Sequence, residues 1–167
     1  MNCYELQSSS SDEEKKSFSK AFLRLWNHED NIKYLSFTGV LFKEEQINSW
    51  ISELGPMNPI KYYYINERND ISAIIIINTD SVNGFEIFGL CVDSSSKSKG
   101  YGDFLIKKAI DIAVKSGHKA IWTSVLADNM RMQRLVLKNG FIPTTIDYSK
   151  RYDGMSLVKY LKKISNS

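Results

Sequence analysis

Phe18, Phe22, Leu25 and Trp26 recur three and four residues apart, the spacing that gathers side chains on one face of a helix. Ser11 followed three residues later by Glu14 resembles a capping box, so this helix is expected to open there and Ser8–Lys16 to be structured. Ile47, Trp50, Ile51 and Leu54 repeat the pattern and stop at Gly55-Pro56, which marks a second helix. Asp30 to Phe42, between them, shows no readable period. Past residue 60 the pattern becomes short Tyr- and Ile-rich runs, Lys61–Ile65 and Ile71–Asn78, separated by the polar stretch Asn66–Asp70. This reads as a β-hairpin, and a third strand, Phe85–Asp93, follows a turn around Asn83-Gly84.

Next comes a Ser/Lys/Gly loop, Ser94–Gly102, and a helix with Leu105, Ala109, Ile112 and Ala113 inward and Asp103, Lys107, Asp111 and Lys115 outward, closed at Gly117. The outer residues form two i to i+4 charge pairs, Asp103 with Lys107 and Asp111 with Lys115. Strand Ala120–Leu126, helix Asn129–Lys138 ending at Asn139-Gly140, and strands Phe141–Ile146 and Met155–Leu161 complete the chain. An antiparallel start, a strand-helix-strand crossover and an antiparallel end predict an α/β (α+β) fold. Its expected sheet is mixed, mostly antiparallel and six- to seven-stranded, with helices on both faces.

The 167 residues suit one domain, 1–167, able to bury its own core. Nothing approaches the run of roughly 18 apolar residues that a membrane span needs, so no membrane association is expected. The first twenty residues lack the basic start and apolar stretch of a secretory signal, and the expected location is cytoplasmic. Cys3, Cys91, His28 and His118 are scattered, without zinc spacing, so no metal is expected. The net charge of +3 is too small to mark a nucleic-acid binder by itself, and a nucleic-acid partner is disfavoured. A homodimer is left open.

Chemistry is concentrated in the loop. A strand that ends in a glycine-containing loop and feeds a helix presents unpaired N–H groups and the positive end of a helix dipole to one point, which attracts phosphate. Here the loop reads Lys97-Ser98-Lys99-Gly100-Tyr101-Gly102, with two lysines beside the amides. It is not a G-x-x-x-x-G-K-[ST] loop, and Leu105 stands where a dinucleotide fingerprint wants a third small residue. Glu86 is a lone carboxylate in an otherwise apolar strand, so burial is expected to raise its pKa and let it take a proton near neutrality. The alternative is a solvated glutamate on an outward face.

Lys97, Gly100 and Gly102, followed by Ala127-Asp128-Asn129 and then Asn139-Gly140-Phe141, resemble the GNAT superfamily of acyl-CoA-dependent N-acetyltransferases. That family's pyrophosphate loop is Gln/Arg-x-x-Gly-x-Gly/Ala; Lys97 departs from Gln/Arg but keeps a donor and a charge. The resemblance covers about residues 60 to 162. It implies acetyl-CoA as acyl donor, an amine acceptor, and cofactor contacts from Leu90, Val92, Lys97, Ser98, Lys99, Gly100, Tyr101, Gly102 and Asn129. The Leu90 N–H is the implied oxyanion donor. Asn129 would touch the pantetheine arm or cap its helix, and the two roles are compatible. Glu86 lies fourteen residues before Gly100, the spacing of the general-base glutamate in the histone-acetylating branch. The family's Tyr four residues before the glycine of Gly-Phe is replaced by Val136, which leaves Tyr148 and Tyr152, between the last two strands, as candidate acids.

By period two, Glu86, Phe88, Leu90 and Val92 should share a face, with Cys91 on the other as a core residue. Trp26, Trp50, Trp122 and Tyr62–Tyr64 are expected as core and wall residues, with Trp26, Tyr34, Phe37 and Trp50 as bulky walls of an acceptor pocket. The expected activity is acetyl transfer to a primary amine of a small molecule or amino sugar. The alternatives are a protein lysine or N-terminal acetyltransferase, favoured by an open groove beside the central strand, and a non-catalytic acyl-CoA or anion-binding module built on Lys97, Lys99, Lys107 and Lys108.

Overall fold

A computed structural model describes residues 1–80 and 84–164; the expected turn residue Asn83 lies outside the described residues. The elements in chain order are β1 (Cys3–Leu6), α1 (Asp12–Trp26), α2 (Glu29–Leu35), α3 (Glu44–Ser52), β2 (Ile60–Glu67), β3 (Asp70–Asn78) and β4 (Phe85–Val92). They continue with α4 (Tyr101–Lys115), β5 (Ala120–Leu126), α5 (Met130–Lys138), β6 (Ile142–Asp147) and β7 (Leu157–Lys163). The strands form one seven-stranded sheet in the order β1-β2-β3-β4-β5-β7-β6. All neighbours are antiparallel except β4 with β5. No helix among the described residues is long and apolar enough to cross a membrane.

Helix α1 opens as its sequence requires: the Ser11 hydroxyl accepts the Glu14 N–H at 3.1 Å, while the Glu14 carboxylate accepts the Tyr64 hydroxyl at 2.6 Å. Helix α2 occupies the stretch without a period, and none of its residues is buried, so it carries no apolar stripe to read. Its start is held instead by acidic first-turn residues and by His28 Nδ1, which accepts the Asp30 N–H. The hairpin turn is tighter than the polar run suggests, because the strands extend until only Arg68 and Asn69 remain between them, both at positive φ (51° and 65°). That is the backbone a two-residue hairpin needs.

Two cores lie on opposite faces of the sheet. Phe18, Phe22 and Leu25 of α1 and Ile47 of α3 pack on Tyr62, Tyr64, Ile74 and Ile76. On the other face, Leu105, Ile106, Ala109 and Ala113 of α4 pack on Ile75, Ile77, Ile87 and Ile121. Covered on both sides, the middle of β3 is apolar at successive positions, which accounts for the unbroken isoleucines Ile74–Ile77.

The alternation along β4 is broken. Ile76 pairs with Gly89 but Ile77 pairs with Ile87, so Phe88 is an extra, bulged residue, 64% exposed. The bulge inverts the pleat: Ile87 before it and Leu90 and Val92 after it all pack toward α4, while Cys91 joins the α1 core. The expected common face of Glu86, Phe88, Leu90 and Val92 is therefore corrected. Glu86, paired with Asn78, lies on the same side as Cys91, and Leu90 and Val92 lie on the other. Cys91 is a core residue, its thiol pushed up to about 12 by burial.

The bulge also frees an edge. β4 pairs with β5 only over Phe85–Ile87, whereas β5 continues along β7 to Leu126. The buried Thr123 hydroxyl donates to the Ile87 carbonyl at 2.8 Å, at the point where the strands part. Beyond it, the β5-facing edge of Gly89–Val92 has no strand partner.

The helices on the α4 face meet at Gly102, where an added Cβ would come within 3.1 Å of Leu135. Asp103 turns toward α5 and away from the loop, accepting from Lys107 Nζ (2.7 Å), Asn139 Nδ2 (3.0 Å) and Lys138 Nζ (3.2 Å). These donors, Lys107 first and then Asn139, lower its pKa to about 2.

Two outcomes follow. Thr123→Val should lower unfolding stability by about 1 kcal/mol, read from the urea midpoint, because it removes one buried hydrogen bond at the parting of the strands. Asp103 has its pKa depressed on folding, so its contribution is present above the unfolded value of about 3.9 and is lost as pH falls toward 2. The gap in melting temperature between the wild type and Asp103→Asn should therefore be open at pH 7 and narrow progressively below pH 4; a gap unchanged from pH 7 to 3 would contradict this.

Candidate functional site

The loop after β4 is built by short-range constraints. Asp93 accepts from the N–H and hydroxyl of Ser95 (2.9 and 2.7 Å), closing a single 3₁₀ turn at Ser94–Ser96, and is itself held by Arg24 of α1. The chain then takes two positive-φ residues, Ser98 (71°) and Gly100 (85°). Gly100 is the residue before α4, and its carbonyl accepts the Phe104 N–H. Nothing crowds a Cβ at Gly100, so its glycine answers to backbone conformation, whereas Gly102 answers to the Leu135 contact. The first-turn N–H groups of α4 are left facing the loop's concave side, where the dipole is positive.

Both loop lysines have carboxylate partners. Lys97 Nζ lies 2.8 Å from Asp30 of α2, and Lys99 Nζ lies 3.8 Å from Glu67 of β2. The hydrogen bond from Lys97 lowers the Asp30 pKa. Tyr101 is buried in the α4 core.

A cleft of about 740 Å³ runs from this loop between α2 and the start of α5, along the free edge of β4. It brings together Leu90, Val92, Lys97, Ser98, Gly100, Tyr101, Gly102 and Asn129; Lys99 lies outside its lining. Asn129 is the N-cap of α5, its side chain accepting the Met132 N–H at 3.1 Å, and it lines the cleft as well. Leu90 and Val92 pack their side chains toward α4, so what they can offer the cleft is main chain.

Glu86 lies outside that lining, half-buried at the closed end of the gap between β4 and β5. Desolvation raises its pKa; a hydrogen bond from Asn78 and the charge of Lys159 oppose this, and Asp80 adds to it. Trp122 is its register partner on β5, and Lys159 Nζ sits 3.8 Å from the centroid of that indole ring. The Asn78 amide donates to Asp80, and its Oδ1 is buried without a hydrogen-bond partner. This side of the sheet carries Glu86, Trp122 and Lys159 beyond the reach of the α1 core.

Tyr148 is 76% exposed and lines no part of the cleft, and Tyr152 is also exposed. Val136 is fully buried in the α4 core. Of the expected bulky walls, Tyr34 lines the cleft; Trp26 is buried against Phe22, Trp50 packs on Phe22 and Phe42, and Phe37 follows α2 half-exposed. Among the described residues no group of three or more His, Cys, Asp and Glu side chains is gathered as for a metal ion.

Three residues at this site carry no signal of their own in the sequence. Asp30 sits in the stretch with no period, Asn78 ends a strand as an ordinary polar residue, and Arg151 is one basic residue in a polar loop. Asp128 does carry a local signal, as the middle of Ala127-Asp128-Asn129.

Residues 11–141 match the model of the Acetyltransferase (GNAT) family. Among solved structures, a GNAT-family acetyltransferase from Streptococcus pneumoniae aligns with a TM-score of 0.76 at 17% identity, over 98% of this chain and 100% of that one. An N-acetyltransferase from Staphylococcus aureus Mu50 aligns at 0.78 and 14% identity, over 98% and 99%. The ribosomal-protein-S18-alanine N-acetyltransferase from Escherichia coli aligns at 0.72 and 19%, over 99% and 96%. These identities establish a shared fold and no more, and the expected mixed, mostly antiparallel sheet with helices on both faces is the fold observed. With the family match spanning most of its length, the chain belongs to the acetyltransferase (GNAT) family.

Proposed function

We propose that the protein transfers an acetyl group from acetyl-CoA to a primary amine by direct attack, with Glu86 as general base. The observation that carries this reading is a single cleft in which a phosphate-suited loop and an unpaired strand edge meet, with a partly desolvated carboxylate at the end of that edge. Acetyl-CoA supplies the acyl group as a thioester; the residues supply its seat. Lys97, Ser98 and the first amides of α4 would hold the phosphates, and the free main chain of Leu90 and Val92 would hold the pantetheine arm as an added strand does. The Leu90 N–H would donate to the thioester oxygen as charge develops there.

Glu86 would take the proton that the amine must lose. Desolvation makes its carboxylate a stronger base than a solvated glutamate, while Asn78 and Lys159 favour its charged form. The acceptor would approach from the face that carries Trp122 and Lys159. Because no α1-core residue among those described packs over that part of the sheet, a side chain or terminus of a larger molecule fits as readily as a free amine, which supports the protein-acetylating alternative beside the small-molecule one.

Calorimetric titration with acetyl-CoA, and with CoA for comparison, should give saturable binding; its absence would remove the donor from the reading. Glu86→Gln should lower turnover about 10²- to 10⁴-fold with cofactor affinity retained. It should also erase the acid limb of the pH–rate profile, a limb lying above the ordinary glutamate value of about 4.3. A raised folded pKa means that the stability Glu86 contributes below its unfolded pKa is lost as pH rises through the folded one. Glu86→Gln should therefore be at least as stable as the wild type at pH 7. A variant that turns over at the wild-type rate would end the case for Glu86 as base.

A further inference from the structure

Arg151 is the one charged residue that is buried among those described, at 7% exposure. It lies in the loop joining β6 to β7. Its Nε and Nη2 donate to Asp153 (2.9 and 2.8 Å), Nη1 and Nη2 donate to Asp128 (3.3 and 2.7 Å), and Nη1 donates to the Lys33 carbonyl (2.8 Å). A guanidinium has five N–H donors, and here five bonds are made.

These bonds join three separate segments. Lys33 is near the end of α2, and Asp128 immediately precedes the α5 cap Asn129; both line the cleft, on opposing walls. The loop that carries Arg151 is also sewn to the chain after α2, since the Tyr152 N–H donates to the Phe37 carbonyl at 2.9 Å. Gly39, at φ 71°, lies so close to the Tyr152 ring that a Cβ there would come within 2.8 Å. At its other end α2 is held to the phosphate-suited loop by Asp30 and Lys97. The walls of the cleft and the β6–β7 loop thus share one buried cation.

We propose that Arg151 is a positioning residue that fixes the spacing of the cleft walls and couples the β6–β7 loop to the seated acyl donor. The inference rests on acetyl-CoA as the ligand of the cleft. Through the shared guanidinium, holding the walls at the right separation for the donor also holds the β6–β7 loop. A ligand bound between the walls then favours the ordered loop, and the ordered loop favours the ligand, by the reciprocity of linked sites. A lysine could keep the charge but has three donors for five acceptor positions.

The test compares the full chain with Arg151→Lys, Arg151→Met and Asp128→Asn, each first shown to be folded by circular dichroism. Acetyl-CoA affinity is measured by calorimetry. Chymotryptic cleavage at Tyr148 and Tyr152 is followed with and without acetyl-CoA. Arg151→Met and Asp128→Asn should each raise the Kd for acetyl-CoA about tenfold, and the double variant should be no worse than the poorer single one. Arg151→Lys should fall between wild type and Arg151→Met. Acetyl-CoA should slow cleavage of the wild-type loop about tenfold and leave cleavage of Asp128→Asn unchanged. If Arg151→Met does not fold, Arg151→Lys and Asp128→Asn carry the decision. Folded variants that bind acetyl-CoA as tightly as the wild type, or a wild-type loop cleaved at one rate with and without bound acetyl-CoA, would overturn the role of Arg151 alone. A wild type that does not bind acetyl-CoA would overturn the donor assignment and this inference together.

Discussion

β4 and β5 run parallel and hydrogen-bonded for three residues, after which β4 bends away at the bulged Phe88. A sheet interior does not normally leave main-chain donors and acceptors unpaired, because an orphaned buried amide or carbonyl costs on the order of 1–3 kcal/mol. Here the edge of Gly89–Val92 is spared that cost by facing a cleft, not a neighbouring strand. The rest of the site depends on the parting. Without it, α4 and α5 could not open a space between their N-termini, and the loop at the end of β4 would deliver its amides to a closed seam. The bulge also decides the sides: it sends Leu90 and Val92 toward α4 while leaving Glu86 on the opposite face, so main-chain and side-chain chemistry reach the gap from different directions.

The electrostatics of the loop follow a related logic. Two lysines beside a helix N-terminus would repel each other and the dipole if left alone. Asp30 and Glu67, from α2 and β2, partner them. Because Lys97 is only 20% exposed and fixed by Asp30, its ammonium is held near the concave side of the loop before any ligand arrives. The loop is pre-organised at modest cost, and on the proposed reading an incoming phosphate would compete with one carboxylate for one cation instead of ordering a free side chain.

Much of this architecture was legible in the chain because it is written in local patterns. The apolar stripes of α1, α3 and α4 have helical spacing, the isoleucine run of β3 announces a strand covered on both faces, and Ser11, Gly117 and Gly140 mark element ends. The phosphate-suited loop was legible for the same reason: its chemistry is contiguous. What escaped reading was set by tertiary structure. Helix α2 buries nothing, so it leaves no periodic trace, yet it forms a wall of the cleft. The bulge at Phe88 shifts the pleat by one residue and exchanges the faces of everything after it, a change that strict alternation cannot register. Arg151 reads as one more basic loop residue until Lys33 and Asp128, 118 and 23 positions away, are seen to converge on it.

Val136 bears on how the proposed reaction would finish. Its side chain is wholly inside the α4 core and carries no titratable group, so α5 offers no acid from that position. Tyr148 and Tyr152 are exposed in a loop that Arg151 holds to α2 and the Tyr152 N–H holds to the segment after it, outside the cleft lining. A leaving thiol with a pKa of roughly 8.5 needs no partner to depart as the thiolate near neutral pH, at a cost of about 1.4 kcal/mol per unit by which its pKa exceeds the ambient pH. The N-terminal end of α5 and the cationic loop provide the positive potential that lowers this cost further. On the proposed reaction, the chain therefore places its demanding proton transfer at the amine, where Glu86 stands, and leaves the thiolate to the field of the cleft.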